Sequence, residues 1–270
     1  MTMSWEQAVL WLRNQPEQSE LVKACFYDDP LIEAARRYYE SGEWRAVREI
    51  LPQHTGLALD VGAGRGISTF ALARDGWQVT ALEPDSSEIV GADAIRLLSR
   101  EAGFECEIVQ EWGEHLPFAD ASFDLVYCRQ SLHHARDLRQ LCDELGRVLR
   151  DGGAFIATRE HVISRPQDLP AFLQSHPLHS LYGGENAYML DEYVSAIKSA
   201  GIRLERVLNP LQSEINLYPE SLASIKRRIA ARLALPFPGI IPDFVMTVLG
   251  RFLRLPGRLY SFAGKRRPRG

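Results

Sequence analysis

The sequence predicts an α/β protein built on a mostly parallel sheet with helices on both faces. Strand-like apolar runs alternate with helix-like segments from residue 57 to residue 208, and a glycine-rich turn joins the first run to the first helix. Repeated βα units of this length imply parallel strands. In such sheets, ligands bind at the carboxyl ends of the strands. We therefore expect functional residues where each predicted strand ends.

The first strand and its turn read Leu-Ala-Leu-Asp-Val-Gly-Ala-Gly-Arg-Gly, from Leu57 to Gly66. Three glycines in this turn allow conformations that a Cβ forbids, and they let main-chain N–H groups approach a ligand closely. Asp60 ends the strand, so its carboxylate is predicted to point at the same ligand. Glu83 ends the next apolar run, about twenty residues further on. This is the layout of a nucleoside-binding βαβ unit.

Two ligand classes share this layout. A dinucleotide fingerprint requires a third glycine where this chain has Ile67. The order G-x-G-x-G, with Asp60 two residues before the first glycine, instead resembles motif I of the class I S-adenosylmethionine-dependent methyltransferases. The loop alone is also compatible with an ordinary strand-to-helix turn.

Later segments extend the resemblance from residue 57 to about residue 160. They are Glu114-His115-Leu116-Pro117-Phe118, Phe123-Asp124-Leu125-Val126, Leu132-His133-His134 and the run from Glu144 to Gly153. These blocks are similar to the signatures of small-molecule methyltransferases, in the same order and spacing. The resemblance implies a Rossmann-like, seven-stranded, mostly parallel sheet whose final strand is antiparallel.

Hydrophobic periodicity places the elements along the chain. Strands are predicted at 57–61, 78–82, 106–109, 123–128, 154–158 and 202–208, and helices at 67–73, from Asp85 to Gly103, 138–149, 169–174 and 189–200. Two runs compete for the seventh strand, Ser213 to Leu217 and Arg258 to Ala263. We choose the second, because it resembles the aromatic-rich run that commonly ends the family's sheet.

This choice divides the chain into four parts. Residues 1–52 form an N-terminal helical lid, residues 53–217 the cofactor-binding core, residues 218–256 a basic helical insertion or cap, and residues 257–270 the final strand and basic tail. Ser4 with Gln7 predicts a capping box in the first part, and Asp29-Pro30 predicts the start of a later helix. The aromatic residues between Arg37 and Trp44 either cover the cofactor or pack the helices onto the core.

By resemblance, the cofactor is S-adenosyl-L-methionine, with S-adenosyl-L-homocysteine as its product. Gly62, Ala63 and Gly64 then contact the methionine part, and Asp60 holds the ammonium group directly or through water. Glu83 accepts the ribose hydroxyls, and Pro84 packs on adenine. The family's usual Gly-Asp pair is replaced by Glu111-Trp112-Gly113, so adenine is recognised by Glu111 or by stacking on Trp112. Arg129 follows the fourth strand, where the family contacts the methionine part.

His133 and His134 are the predicted catalytic residues. A histidine at the methyl end of the cofactor acts as general base when the acceptor is a hydroxyl, because its pKa lies near neutrality. Glu160 and His161 compete for this role, and helix capping or core packing are the alternatives for the pair. The segment from His179 to Tyr188 is predicted to be either an acceptor-binding loop or a surface loop. No clustered carboxylates or histidines are evident in the sequence, so no metal is expected.

Charge is distributed unevenly along the chain. Residues 221–270 contain eleven Lys or Arg and one acid, which leaves a net charge of −14 on the preceding residues, since the total is −4. Helical periodicity in the insertion predicts two apolar stripes. The first is Leu222, Ile225, Ile229 and Leu233, and the second is Val245, Val248, Leu249 and Phe252. They either pack on the domain or dock with the arginines on an anionic membrane surface or anionic acceptor. No nucleic-acid motif accompanies the charge.

The predicted function is methyl transfer to a small or carrier-linked metabolite, with the hydroxyl of a saccharide or another anionic acceptor as the specific expectation. An inactive protein that binds the same cofactor and an NAD(P)-dependent oxidoreductase are the alternatives. The four cysteines lack metal or disulfide spacing, and no secretion signal or apolar run of membrane-spanning length is present. A cytoplasmic protein, peripheral to the inner membrane face through its basic segment, is expected.

Overall fold

The structure is a computed structural model that describes residues 3–269. Met1 and Thr2, in the predicted N-terminal helical part, and Gly270, in the predicted basic tail, lie outside the described residues. One sheet forms the centre of the fold. Its strands are β1 Leu57–Val61, β2 Gln78–Leu82, β3 Cys106–Val109, β4 Phe123–Arg129, β5 Leu149–Ile163, β6 Tyr188–Met189, β7 Ile202–Leu208 and β8 Arg258–Arg266.

The strand order is β3-β2-β1-β4-β5-β8-β7, and the short β6 pairs with β5 outside this path. Strands β1 to β6 pair in parallel, whereas β8 is antiparallel to both of its neighbours. The predicted fold class is therefore confirmed, with β6 as an additional short strand. Arg258–Arg266 is the final strand, and the competing run contains a 3-10 turn at Glu214–Asn216.

Helices cover both faces of the sheet. They are α1 Trp5–Arg13, α2 Ser19–Ala24, α3 Leu31–Glu40, α4 Gly42–Arg48, α5 Ile67–Arg74, α6 Ala92–Ala102, α7 Leu138–Val148, α8 Leu169–Ser175, α9 His179–Tyr182, α10 Leu190–Ser199, α11 Leu222–Arg232 and α12 Asp243–Phe252. One apolar core contains side chains from α7 and α10, and the other contains side chains from α3 to α6. Within residues 3–269, no helix has the length and apolar character needed to cross a membrane.

The helix predicted to begin at Asp85 begins at Ala92 instead. Asp85 Oδ1 accepts a hydrogen bond from Ser87 N at 2.8 Å, and Ser87 Oγ accepts one from Ile89 N at 2.9 Å. Side chains bonded in this way stabilise local turns in competition with a helix. Gly91, in extended conformation, separates these turns from the helix. The segment between Glu83 and the helix therefore folds as a series of turns after β2.

Strand β5 is longer than predicted. It begins at Leu149, directly after α7, and includes the Asp151-Gly152-Gly153 segment that was expected to precede it. A register shift in its pairing with β8 falls between Ala157 and Glu160. Arg159, inside this bulge, has a φ of 61°. The extension beyond residue 158 places Glu160 and His161 at the carboxyl edge of the sheet.

The N-terminal aromatic residues pack onto the core. Tyr38 and Trp44 are fully buried, and the indole of Trp44 donates a hydrogen bond to Asp75 at 2.9 Å. The predicted capping box of Ser4 and Gln7 is present. Helix α3 starts at Leu31 without a side-chain cap.

Asp29 was expected to cap α3, but its carboxylate pairs with two arginines. Arg13 Nη1 lies 2.7 Å from Asp29 Oδ2, and Arg65 Nη2 lies 2.5 Å from Asp29 Oδ1. Because these ion pairs occupy both carboxylate oxygens, the side chain ties the N-terminal helices to the glycine turn.

Helix α7 contacts α10 closely at a glycine, which generates a prediction about stability. A Cβ at Gly146 would lie 2.2 Å from the carbonyl oxygen of Ala200. Alanine normally stabilises a helix relative to glycine by about 1 kcal/mol. We expect Gly146→Ala to lower the free energy of unfolding by about 2 kcal/mol instead, because the helices must separate. Urea denaturation measures this change.

Glu101→Ala, at an exposed position in α6, is the matched control. Its free energy of unfolding should stay within about 0.5 kcal/mol of the original. If Gly146→Ala were stabilising, the close packing of α7 on α10 would be wrong.

Candidate functional site

A cavity of about 580 Å³ opens at the carboxyl edge of the sheet. Its size is that of a site for a small organic ligand. Ten of the eleven predicted site residues line it: Gly62, Ala63, Gly64, Glu83, Pro84, Glu111, Trp112, Arg129, His133 and His134. Asp60 lies beneath the cavity wall. Among the described residues that line the cavity, none comes from the insertion at 218–256.

The glycine turn after β1 forms the floor of the cavity. Gly62 and Gly64 have φ values of 66° and 54°, which side chains with a Cβ rarely adopt. A Cβ at Gly62 would lie 2.7 Å from Cβ of Ser131. A Cβ at Gly64 would meet only a carbonyl oxygen at 3.9 Å, so it would occupy cavity space. Both glycines are therefore needed, the first for packing and the second for access to the main chain.

Asp60, near the end of β1, is bonded to the first turn of α5. The side chain is fully buried, and its Oδ2 accepts hydrogen bonds from Ser68 and Thr69, each at 2.7 Å. Among the described residues, Oδ1 has no hydrogen-bond partner. Burial raises the pKa of Asp60 to about 6, although the two hydroxyl bonds oppose this shift. A buried acceptor without a partner is unusual, and a water molecule or a ligand ammonium group would satisfy it.

Glu83 lies beside the glycine turn at the end of β2. Its Oε2 accepts a hydrogen bond from Gly64 N at 2.7 Å, and its Oε1 accepts one from Asp85 N at 3.0 Å. Burial raises the pKa of Glu83 to about 7, and these two backbone bonds only partly offset it. Each carboxylate oxygen can accept a further hydrogen bond, so the group suits a pair of ligand hydroxyls.

Trp112 forms an exposed part of the cavity wall. Its side chain is 55% exposed, and the Arg136 guanidinium lies 5.1 Å from the ring centroid. Glu111 and Pro84 line the same cavity. A planar ligand can stack on the indole face that Arg136 leaves open.

Arg129 lines the cavity but is engaged within the protein. Its Nε and Nη2 donate to the carboxylate of Glu43 at 2.7 and 3.0 Å, and its Nη1 donates to Gln130 at 3.0 Å. Burial alone would lower the pKa of Arg129, but the ion pair with Glu43 raises it further than burial lowers it. The charge is therefore neutralised inside the structure, so Arg129 adds little positive potential to the cavity.

His133 is held by a buried carboxylate. Its Nδ1 lies 2.7 Å from Glu160 Oε2, and Glu160 Oε1 accepts hydrogen bonds from Ser131 N and Leu132 N. Burial lowers the pKa of His133, but the hydrogen bond to Glu160 and the nearby carboxylate of Glu185 outweigh it and raise the pKa to about 9. Glu160 is thus occupied as a hydrogen-bond acceptor and is not a free base.

His134 has a different environment. Its Nδ1 lies 3.0 Å from the carbonyl oxygen of Gly184. Because a carbonyl only accepts, Nδ1 carries the proton and Nε2 keeps a lone pair. Desolvation by the cavity wall and the neighbouring His133 both lower the pKa of His134, although the residue keeps an exposed surface. The two adjacent histidines therefore differ in protonation.

Several cavity residues were not singled out from the sequence. They include Trp5, Phe26, Arg65 and His176, which come from separate regions of the chain. Arg65 donates to the carbonyl oxygens of Phe26 and Asp28 at 2.8 and 2.9 Å, so it fastens the N-terminal segment to the glycine turn. Tyr182, Gly184 and Glu185 belong to the segment that was predicted to form either an acceptor-binding loop or a surface loop, and they line the cavity.

Comparison with known proteins identifies the family of this site. The methyltransferase domain family matches residues 59–157, which contain the glycine turn, Glu83 and the histidine pair. The chain therefore contains a domain of the class I S-adenosylmethionine-dependent methyltransferase type.

Three similar proteins illustrate the relationship. The uncharacterized methyltransferase YcgJ of Bacillus subtilis (strain 168) is 32% identical over 116 residues, which cover 40% of this chain and 42% of that protein. Methyltransferase GfsG of Streptomyces halstedii is 29% identical over 203 residues, covering 70% of each. Geranyl diphosphate C-methyltransferase of Streptomyces coelicolor A3(2), solved with Mg²⁺, geranyl diphosphate and S-adenosyl-L-homocysteine, has a TM-score of 0.61 and 15% identity, covering 94% of this chain and 86% of that one.

The chain spans less than half the length of the first curated relatives that it matches, between 38% and 46%. The likeness to the solved structure shows a shared fold, since its identity is low.

The residues of this domain fit S-adenosylmethionine, the cofactor of its family. Three features account for this fit: the unpartnered buried Oδ1 of Asp60, the open space at Gly64 and the free acceptor capacity of Glu83. These features suit an ammonium group, a close main-chain contact and a ribose, in that order.

The raised pKa of Glu83 generates a prediction about pH. Ribose hydroxyls donate to the carboxylate, so ligand binding favours its ionised form, and protonation below about pH 7 competes with binding. We expect the affinity for 5′-methylthioadenosine to fall by about tenfold per pH unit below pH 7 and to level off above it. Calorimetric titration between about pH 5.5 and pH 8.5 measures this.

This ligand lacks the amino acid part of the cofactor, so neither its own ammonium group nor the contact with Asp60 contributes. Glu83→Gln, which cannot titrate, should bind more weakly and show no such slope. A slope that persists in Glu83→Gln would assign the titration to another group.

Proposed function

We propose that this methyltransferase transfers a methyl group from S-adenosylmethionine to a hydroxyl of a small molecule. The observation that carries the proposal is the continuity of one cavity, which joins the glycine turn and Glu83 to His133 and His134. A cofactor at the first end and an acceptor at the second therefore meet without a barrier between them.

The cofactor end of the cavity defines the proposed orientation. Gly62, Ala63 and Gly64 contact the methionine part, and Asp60 receives its ammonium group directly or through water. Glu83 accepts the ribose hydroxyls. Pro84 and Trp112 pack on adenine. Glu111, which lines the same cavity, accepts a hydrogen bond from the adenine amino group. Bound S-adenosylmethionine supplies a methyl group on a sulfonium. Transfer of this methyl group leaves a neutral thioether.

His134 is the proposed general base. Its Nδ1 is bonded to the Gly184 carbonyl, so its Nε2 is available to accept the proton of an acceptor hydroxyl. The hydroxyl oxygen forms the new bond to the methyl carbon while the carbon–sulfur bond breaks, and its electron pair remains on sulfur. His133, fixed by Glu160, positions the turn that carries His134.

The acceptor end also indicates a class of substrate. Its acidic side chains include Glu185, and Arg129 is neutralised by Glu43. The cations of the insertion lie away from the cavity wall. These charges favour a neutral, hydroxyl-rich acceptor, such as a saccharide or its carrier-linked form, over an acceptor that presents an anionic group to the cavity.

The N-terminal part, residues 1–52, is proposed as the lid over this site, and residues 53–217 as the catalytic core. Trp5, Phe26 and Tyr27 reach the cavity from the N-terminal part, whereas Tyr38 and Trp44 pack on the core. Apolar side chains above the reacting groups exclude water, which methyl transfer requires.

Removal of the general base tests the proposal. Wild-type protein should transfer labelled methyl from S-adenosylmethionine into a protein-free extract of small metabolites, and NADH should not bind. We expect His134→Ala to lower kcat by about 100-fold or more, because general base catalysis contributes at least this factor. Its affinity for S-adenosylmethionine should change by less than about twofold, because His134 lies at the acceptor end.

His54→Ala is the matched control, since this exposed histidine precedes β1 and lies at the opposite edge of the sheet. Cofactor binding without label in any small molecule would favour the inactive, cofactor-binding alternative. Label in protein or nucleic acid would contradict a small acceptor.

We also propose a peripheral contact between the C-terminal segment, residues 218–256, and an anionic membrane surface. Part of each predicted apolar stripe packs inward, around Ala230, Ile241 and Met246. Eight large apolar side chains remain exposed: Leu233, Phe237, Ile240, Phe244, Val248, Leu249, Phe252 and Leu255.

Cations accompany these side chains. Within the described part of this segment, Lys226 and Arg228 form ion pairs, whereas Arg227, Arg232, Arg251 and Arg254 have none. Exposed apolar side chains beside unpaired cations suit the boundary of an anionic bilayer.

Sedimentation with vesicles tests this contact. The protein should bind phosphatidylglycerol-containing vesicles and not vesicles of phosphatidylcholine alone. Phe244→Ser with Phe252→Ser should weaken binding by about 30-fold or more, because two rings no longer enter the bilayer. Leu97→Ser, at an exposed position in α6, should have no effect. Equal binding to both kinds of vesicle, or none to either, would contradict the proposal.

A further inference from the structure

The acceptor end of the cavity contains a cluster of imidazoles around one carboxylate. Side chains of His133, His134, His161 and His176 come together there with Glu185, although they come from four separate parts of the chain. The sequence predicted no metal, because no clustered carboxylates or histidines are evident in it. Glu185 is buried.

The distances around Glu185 are those of ligands separated by an ion. Glu185 Oε2 lies 3.7 Å from His176 Nε2 and 3.7 Å from His133 Nε2. This is too long for an N–H···O hydrogen bond. Two ligands placed 2.1 Å from a tetrahedral ion are about 3.4 Å apart, so a small contraction brings the observed atoms into coordination. His161, His176 and Glu185 each offer one ligand atom, and these atoms all lie within 4.8 Å of one another.

His176 lacks a hydrogen-bond explanation. Its Nδ1 is buried without a partner among the described residues, and its Nε2 faces Glu185 beyond hydrogen-bond distance. Buried imidazoles normally satisfy at least one ring nitrogen. His133 differs, because its bond to Glu160 accounts for its position.

The supporting contacts are also those of metal ligands. His161 Nδ1 lies 2.9 Å from the Gly257 carbonyl oxygen, which fixes the tautomer and leaves Nε2 free. The Tyr182 hydroxyl donates to Glu185 Oε1, so Oε2 remains the available ligand atom. Metal-bound histidines and carboxylates are commonly oriented by such contacts.

We propose that Glu185, His161 and His176 bind one divalent transition-metal ion such as Zn²⁺. Two imidazoles and a carboxylate suit this class of ion, whereas Mg²⁺ and Ca²⁺ prefer an all-oxygen set. Three protein ligands leave a coordination position open to the cavity. An ion there would make a coordinated acceptor hydroxyl more acidic, which would assist the attack of its oxygen on the methyl carbon of the sulfonium. This last step rests on the proposed function, but ion binding does not.

Metal binding is tested on the full, untagged chain after treatment with a chelator. Added Co²⁺ should give a visible d–d absorption that saturates at one ion per chain, and Zn²⁺ should displace it. Glu185→Gln and His176→Ala should each weaken binding by about 100-fold or more, since even supporting contacts contribute 10–100-fold. His115→Ala, which removes an exposed histidine, and His134→Ala should bind Co²⁺ as the wild type does.

A wild-type chain that shows no saturable binding would overturn the proposal, as would variants that bind like the wild type. Should the variants fail to fold, X-ray absorption of the Zn²⁺-loaded wild type still decides, because two imidazole ligands are expected and any other number contradicts the site. Calorimetry with 5′-methylthioadenosine separates this failure from failure of the methyltransferase assignment, because that ligand occupies the opposite end of the cavity.

Discussion

A buried ion pair between Glu43 and Arg129 joins the N-terminal helices to the sheet. Glu43, in α4, is fully buried, and its carboxylate accepts two hydrogen bonds from the guanidinium at the end of β4. Arg159 lies 3.7 Å from the same carboxylate and donates to the carbonyl oxygens of Ile215 and Tyr218. An unpaired charge in such a place destabilises a protein by about 3–5 kcal/mol. Three regions of the chain are therefore held in one arrangement around the carboxyl edge.

The cofactor end of the site could be predicted from the sequence, whereas the contacts of the N-terminal helices could not. The glycine turn, Asp60 and Glu83 are local features, because strand ends and turn residues fix their positions within one βαβ unit. The choice of Arg258 to Ala263 as the final strand followed from its resemblance to the aromatic-rich run that commonly ends the family's sheet. Glu43, by contrast, reads as an ordinary charged residue of a surface helix. Its burial depends on a contact with Arg129, which lies 86 residues away in the sequence.

The errors in the sequence prediction have local physical causes. Asp85 was expected to start a helix, but its carboxylate bonds to Ser87 N and forms a turn. Strand β5 was expected to end at Thr158, yet its pairing with β8 continues past the bulge at Arg159. That continuation matters for the site, because Glu160 fixes the turn of His133. The cluster at Glu185 was missed for another reason: its members become neighbours only through the tertiary fold.

Arg65 joins the glycine turn to the N-terminal segment. It lies between Gly64 and Gly66 in the cofactor turn, and its guanidinium bonds to the carbonyl oxygens of Phe26 and Asp28. Phe26 in turn contributes to the cavity wall. A displacement of the N-terminal segment must therefore move the turn that carries Gly64, or break buried hydrogen bonds to a charged group. Each such bond contributes about 1.5–3 kcal/mol. Arg65, a residue of the glycine motif, thus links the conformation of the glycine turn to the position of the N-terminal segment at the cavity wall.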